Sequence, residues 1–442
     1  MTQSSRRTFL QSVGSAAAAS AVWHLNPAPV KASRLPLEKL NVAAIGTGNR
    51  AAKDIAGCET ENIAALVDID ADFLNAASNK YPGARTYEDF RVMLEKEGDR
   101  IDAVIVGTPD HTHAVAAAMA MKMGKHVYCE KPLTHTVYEA RRLAELAAEH
   151  NLTTQMGTQI HAGNNYRRVV EAVQSGAIGP VKEVHVWVGV DYSGGVQKPA
   201  QKPASVNWDL WLGPVADHEY VECTIKDKPE KVHPFFWRWF WKFGSGGLGD
   251  FGCHYMDLAH WALKLHHPTR ISASGPPVDD TAATAGIVVD YEYPARGDMP
   301  PVRMTWYDGG KRPEALSRYR DADGKPLDWK SGQLFVGERG AIISNYSQHV
   351  LLPHAGEQIT APEPGLPDSI GHHQEWLQAI RTDGKTTCNF DYSGALTEAV
   401  LLGVVSYRTG EAIEWDGKNF KAKNSPTAQQ MLHKEYRSGW TL

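Results

Sequence analysis

The sequence predicts a two-domain α/β protein: an N-terminal doubly wound parallel sheet, followed by an α/β domain built on a large, open, mostly antiparallel sheet. Three observations carry this. Short apolar runs alternate with helical patterns over residues 38–157, a glycine-rich turn follows the first run, and extended segments succeed one another through much of residues 158–442. A chain of 442 residues exceeds one ordinary core and suits two.

The formal net charge is −5, and no Lys/Arg stripe breaks the mixed pattern. Nucleic acid is therefore not an expected partner. Thirteen Trp and nineteen His are a heavy load, and sugar sites use aromatic faces rimmed by polar groups. The five cysteines include no Cys-x-x-Cys pair, so neither a disulfide framework nor a thiolate zinc site is implied.

Residues 1–32 read as an address. Ser5-Arg6-Arg7-Thr8-Phe9-Leu10 precedes an Ala-rich, weakly apolar stretch from Val13 to Val22, and Val30 and Ala32 offer small side chains for cleavage after Ala32. This is the pattern of a twin-arginine export signal, and it predicts a periplasmic or otherwise exported protein. The stretch is too short to anchor the chain in a bilayer. Because that machinery carries folded proteins, a bound cofactor would travel with the chain.

Leu40–Ile45 reads as the first buried strand and runs into Gly46-Thr47-Gly48-Asn49-Arg50-Ala51. In this G-x-G-x-x-A turn Gly46 permits the sharp bend, Gly48 admits a pyrophosphate, and Ala51 lets the next helix pack closely. The phosphates would rest on the helix N-terminus. The second strand, Ile63–Val67, ends in Asp68, twenty residues after Gly48. A carboxylate there accepts from the adenosine ribose and repels a 2′-phosphate, which favours NAD over NADP. Asp70 reads better as the cap of a helix beginning near Ala71. A third strand, Ile101–Val106, leads to Gly107-Thr108-Pro109-Asp110-His111-Thr112-His113, with a helix expected from Ala114 to Met123. His126–Cys129 is another strand, ending at Glu130-Lys131-Pro132. Thr108, Pro109, His113, Glu130 and Lys131 are thereby expected on the rim where a Rossmann sheet holds its dinucleotide.

Glu130-Lys131-Pro132 resembles a motif of the glucose-fructose oxidoreductase, inositol dehydrogenase and MocA family. Gly249-Asp250-Phe251-Gly252-Cys253-His254-Tyr255-Met256-Asp257 resembles the family's second motif, in which an Asp and a His project from one helix into the substrate cleft. The resemblance spans essentially all of the chain after the signal. It implies that Lys131, His254 and Asp250 surround the carbon that exchanges hydride, that Gln159 sits where many relatives place an Asn or Arg near the cofactor, and that the chain forms a dimer or tetramer. Trp208-Asp209-Leu210-Trp211-Leu212-Gly213-Pro214, the cluster Trp237-Arg238-Trp239-Phe240-Trp241 and Thr387-Cys388-Asn389-Phe390-Asp391-Tyr392 resemble an exported bacterial subgroup.

The chemistry also follows from the residue types. Alcohol oxidation needs a base for the hydroxyl proton, and the reverse needs an acid. His254 titrates near working pH, Asp250 at i−4 shares its helix face and can orient the ring, and Lys131 can stabilise an alkoxide. His254, Asp257 and His260 stand at three-residue steps, but Asp257 and His260 rotate off that face, and no metal is expected.

A sixth strand at Gln155–Gly157 and a helix over Asn165–Gln174 are expected to precede a strand over Val181–Val190. Further strands are expected near Ile271–Ala273, Ala283–Tyr293, Val302–Tyr307, Gln333–Gly337 and Ala341–Ser344. The long irregular stretch from Ser193 to Gly249 is a candidate substrate loop or subunit-contact arm. Trp237, Arg238, Trp239 and His373 are its and the cleft's candidate substrate contacts. The expected function is hydride transfer between NAD and a sugar or cyclitol. The alternatives are a glycosidase or lyase that oxidises its substrate transiently, and a non-catalytic sugar-binding protein.

Overall fold

The computed structural model describes residues 38–320 and 323–442; the twin-arginine segment lies outside them. Strands β1 (Asn41–Ile45), β2 (Asn62–Val67), β3 (Arg85–Tyr87), β4 (Ala103–Val106), β5 (His126–Cys129) and β6 (Thr154–Met156) form one parallel sheet. Its order is β3-β2-β1-β4-β5-β6. The order reverses between β1 and β4, so the carboxyl ends of these two strands open the crevice where such sheets bind ligands. Helices α1 (Asn49–Gly57), α2 (Ala71–Lys80), α3 (Phe90–Glu97), α4 (Asp110–Lys122) and α5 (Val137–Glu149) connect the strands. The core strands are buried on both faces, as their unbroken apolar runs require.

Two expectations need correction here. The three-residue β3 was missed, because Arg-Thr-Tyr is short, polar and largely exposed. Helix α4 starts at Asp110 rather than Ala114: Pro109 supplies the extended residue before it, and the polar first turn Asp-His-Thr-His is helical and buried. Asp70 is the cap of α2, accepting from the Asp72 amide at 3.0 Å.

Helix α6 (Asn164–Gln174) and strand β7 (Val181–Trp187) lead into the arm at 193–249. This segment is not irregular. Strands β8 (Gln197–Pro199), β9 (Val221–Ile225) and β10 (Lys228–Lys231) pair antiparallel, with α7 (Trp208–Leu212) beside them. Trp211, Val221, Trp237, Phe240 and Phe243 give it a core of its own. It is fastened to the first domain: Asn207 donates to the Ile69 carbonyl, Ala71 donates to the Ser205 carbonyl, and His233 Nε2 lies 3.0 Å from Asp70.

Helices α8 (Gly246–Tyr255) and α9 (Asp257–Ala262) follow. Strands β11 (Arg270–Ser274), β12 (Val288–Tyr293), β13 (Val302–Tyr307), β14 (Gly332–Gly337), β15 (Gly340–Ser344) and β16 (His349–Pro353) come next. Helix α10 (His372–Arg381), the long α11 (Phe390–Thr409), strands β17 (Ile413–Asp416) and β18 (Lys421–Ala422), and α12 (Pro426–Met431) complete the chain. The second sheet has nine strands in the order β16-β15-β14-β7-β13-β12-β11-β17-β18. Only β7 and β13 pair in parallel. Helix α11 is capped by Asn389, whose side-chain oxygen Oδ1 accepts from the Asp391 and Tyr392 amides, and it stops at Gly410 in the left-handed region. Its buried residues fall on every face, because α5 of the first domain, α8 and β11 all pack around it.

Candidate active site

Gly46 has φ +90°, and a Cβ there would meet the Gly107 carbonyl oxygen at 2.8 Å. Only glycine makes this bend between β1 and α1. Ala51 packs against Gly107, which explains the small residue at the end of the turn. Gly48 differs from expectation: the group that approaches it is the Phe73 ring, 2.6 Å from a Cβ built there. Helix α1 has no side-chain cap, so its first amides remain available to a phosphate.

A cavity of about 440 Å³ opens over this turn. Gly46, Gly48, Asn49, Arg50, Asp68, Thr108 and Pro109 line it, as expected of cofactor contacts, and Phe73 and Thr112 join them. Asp68 is buried at the end of β2 and accepts from both the Thr47 amide, at 2.8 Å, and the Thr47 hydroxyl, at 3.0 Å. Thr47 thus serves the site by holding Asp68. The arm closes the other side through Leu210, Trp211, His233, Pro234, Phe235, Trp237 and Arg238. An uncapped helix start, a strained glycine bend and a buried carboxylate at the ribose position fit a dinucleotide.

Beside this cavity Lys131, Asp250, Tyr192 and Arg238 converge from four separate parts of the chain. The Lys131 ammonium, at the end of β5, donates to the Asp250 carboxylate and to the Asp250 carbonyl at 2.9 Å. Tyr192 donates to the other carboxylate oxygen at 2.9 Å, and Arg238 Nε stands 3.6 Å from the first. Lys131 and Arg238 hold the Asp250 carboxyl well below the usual carboxylate range against the opposing effect of burial. Asp110 is fully buried nearby. Burial and the charge of Asp250 push its carboxyl well above its ordinary value.

The expected Asp250–His254 couple does not form. Asp250 turns to the two cations, which offer stronger charge-assisted bonds than a neutral ring. His254 is half-buried with Nδ1 unpartnered and shielded from solvent, and desolvation together with Lys131 drives its pKa down to about 3. His254 is a neutral imidazole here, rather than a base poised near neutrality.

Other assigned contacts also move. His113 does not reach the cavity: Nδ1 lies 2.9 Å from the Pro132 carbonyl and Nε2 2.7 Å from the Thr108 carbonyl, so the ring ties the loops after β4 and β5 together. Lys131 stands outside the dinucleotide cavity lining, as do Glu130 and Gln159. Gln159 donates to Glu130 at 2.6 Å and to the Tyr128 hydroxyl at 2.7 Å. Trp239 stacks on Tyr192 with ring centres 4.0 Å apart, and His373 stacks on Tyr128 and contacts Asp54 at 3.0 Å. Neither lines the cavity. Asp257 pairs with His161 and accepts from Tyr392, while His260 contacts Tyr293. His254, Asp257 and His260 therefore do not converge; among the described residues, Cys388 instead joins His161 and Asp257, with ligand atoms within 4.8 Å of one another. Tyr192 and Asp110 join the site beyond the expected residues, and only tertiary contact reveals Tyr192.

Arg50 links the cavity to the buried acids Asp54, at 2.8 Å, and Glu130, at 3.3 Å. Burial, with the neighbouring Asp54 charge, raises Glu130 to about 7, and Asp54 rises to about 6. The folded protein thus binds protons that the unfolded chain releases at lower pH. Their contribution to stability falls as pH rises from the ordinary carboxylate range towards 7. Glu130→Gln is expected to flatten that fall, read as the difference in denaturant midpoint between pH 5 and pH 8 relative to wild type.

The fold and site define a dinucleotide-binding α/β protein. Residues 40–158 match the model of an oxidoreductase family with an NAD-binding Rossmann fold, and 167–299 match its C-terminal α/β domain. The chain belongs to the glucose-fructose oxidoreductase, inositol dehydrogenase and MocA family, and its first domain is an NAD-binding Rossmann domain. It is 30% identical to an inositol 2-dehydrogenase of Rubrobacter xylanophilus over 152 residues, which is 32% of this chain and 42% of that one. It is 30% identical to a D-xylose 1-dehydrogenase [NADP(+)] of Haloarcula marismortui over 128 residues, 29% of this chain and 35% of that one. The chain thus spans half or less of the length of these curated relatives. An inositol dehydrogenase homolog of Azotobacter vinelandii, solved with NADH and myo-inositol, superimposes with a TM-score of 0.59 at 18% identity, covering 86% of this chain and 98% of that one. That likeness shows the fold.

Proposed function

We propose that the protein is an exported, NAD-dependent oxidoreductase acting on a hydroxyl or carbonyl of a sugar or cyclitol. One observation carries this reading: Lys131 of the first domain and Asp250 of the second meet beside the dinucleotide cavity, with Arg238 bordering both.

Gly46, Gly48, Asn49 and the start of α1 would hold the dinucleotide phosphates, and Asp68 the adenosine ribose. The nicotinamide supplies a partner for hydride exchange with a substrate carbon. Lys131 moves the proton. Its ammonium has three hydrogens; two go to Asp250, and the third is free for a substrate oxygen. In the reducing direction that hydrogen passes to the developing alkoxide. In the oxidising direction the hydroxyl proton passes back to the Lys131 amine, and Asp250 stabilises the ammonium that forms. Arg238 adds positive charge, and neutral His254 orients a neighbouring hydroxyl. The arm's apolar side chains exclude water, which strengthens each of these interactions.

Asp68 sets cofactor choice. NAD is expected to bind about tenfold or more tightly than NADP, and Asp68→Ser to narrow that gap; fluorescence titration of both dinucleotides measures it. Equal affinity in wild type would remove the role given to Asp68.

The arm favours a second reading. A cavity roofed by Leu210, Trp211, Pro234, Phe235 and Trp237 slows dinucleotide exchange, and retention suits a redox-neutral cycle that cleaves a glycoside and returns the hydride. Export through the twin-arginine pathway with the cofactor aboard, and assembly as a dimer or tetramer, belong to both readings. Native mass spectrometry after incubation with sugars, cyclitols and glycosides tests them together. An oxidised or reduced sugar with matching cofactor change supports the dehydrogenase, and cleavage with no net change supports the second. A protein that retains no dinucleotide and converts nothing sinks both.

A further inference from the structure

A second cavity, of about 360 Å³, opens between the start of α5, the entry to α8, the end of α11 and the C-terminal segment. It shares no lining residue with the dinucleotide cavity. Lys242, Arg408 and Lys434 border it against one carboxylate, Glu435. Lys434 is already committed, lying 2.9 Å from Glu139 and donating to the His111 carbonyl.

Arg408 is not committed. Among the described residues no carboxylate oxygen lies within 4.0 Å of its guanidinium, which rests over the Trp241 ring at 5.2 Å. Burial lowers its pKa, with Asp280 as the opposing charge. A guanidinium does not shed its proton to escape that cost. The negative end of α11, where Arg408 sits in the last turn, offsets part of it. Gly244 and Ser245, at the entry to α8, line the same wall, with the Gly244 carbonyl 3.2 Å from His135 Nε2. Burial, with the charges of Lys434 and Arg408 nearby, lowers the pKa of His135. Leu401, Val404 and Val405 supply an apolar lining that weakens screening.

We propose that this cavity binds a small oxyanion, a phosphate or carboxylate group, with Arg408 as its charge partner and Lys242 beside it. The site is separate from the reaction centre but one rigid element away from it, because α8 also carries Asp250 and His254.

Calorimetric titration of the full chain, saturated with dinucleotide to block the phosphate sites of the first cavity, tests this with inorganic phosphate and with acetate as probes. Saturable binding is expected in the millimolar range or tighter. Arg408→Gln should weaken it by about tenfold or more, the loss of one charge-assisted contact, and Arg408→Lys by less. Ala216→Trp, at an exposed position on the cavity wall, should block it without touching the core, and decides the matter if Arg408→Gln does not fold. Stronger binding of phosphate or of acetate identifies the ligand class. Absence of binding by both, or binding that persists unchanged with the cavity blocked, overturns the proposal.

Discussion

Lys131→Met is expected to lower kcat by about 10³-fold while changing dinucleotide affinity little. The loss combines a proton-transfer group with a donor aimed at the oxygen where charge develops, each of which is worth roughly 10²–10³ or more. Affinity for the dinucleotide survives because Lys131 stands outside the cavity that Gly46, Gly48 and Asp68 line. Asp250 keeps Arg238 and Tyr192 as partners, so the buried carboxylate is not stranded. His254→Ala is expected to cost less than Lys131→Met, because an imidazole with a pKa near 3 moves no proton at working pH. Steady-state kinetics on the substrate that mass spectrometry identifies gives both numbers. Wild-type turnover in Lys131→Met would end the assignment of the proton to this amine.

Gly46→Val is expected to weaken dinucleotide binding strongly or to destabilise the fold. The backbone there sits at φ +90°, and the new Cβ would press on the Gly107 carbonyl oxygen at 2.8 Å. Left-handed strain for a β-branched residue is about 3 kcal/mol, before the clash is counted. If the turn relaxes by leaving β4, the strain appears as a loss of affinity of at least about a hundredfold. If it holds, the same strain lowers the melting temperature. Titration and thermal unfolding run on one preparation would see either result, and an unaltered affinity with unaltered melting would contradict the geometry of the bend.

The parts of this architecture that can be read from the chain are those whose cause is local. An apolar run ending in a glycine turn, Asp68 at the end of the next run and the Glu130-Lys131-Pro132 strand end all announce themselves within a few residues. Strand β3 does not, because three polar residues on a sheet edge carry no hydrophobic signature. The strands of the arm are hidden for a related reason: β8 and β10 are largely polar, and they exist by pairing with β9. The site divides the same way. Lys131 and Asp250 meet, as their motifs lead one to expect, but the expected Asp250–His254 pair does not form. Helical spacing placed Asp250 beside His254, whereas Lys131, Arg238 and Tyr192 arrive from other parts of the chain and offer that carboxylate better partners. Trp239 and His373 were drawn from a correct neighbourhood, yet each spends its ring on an internal tyrosine.

Helix α11 is buried on all sides between α5 of the first domain and α8 and β11 of the second. It therefore acts as a splint running through both halves, and the lysine of one half and the carboxylate of the other meet across a core that the two halves share.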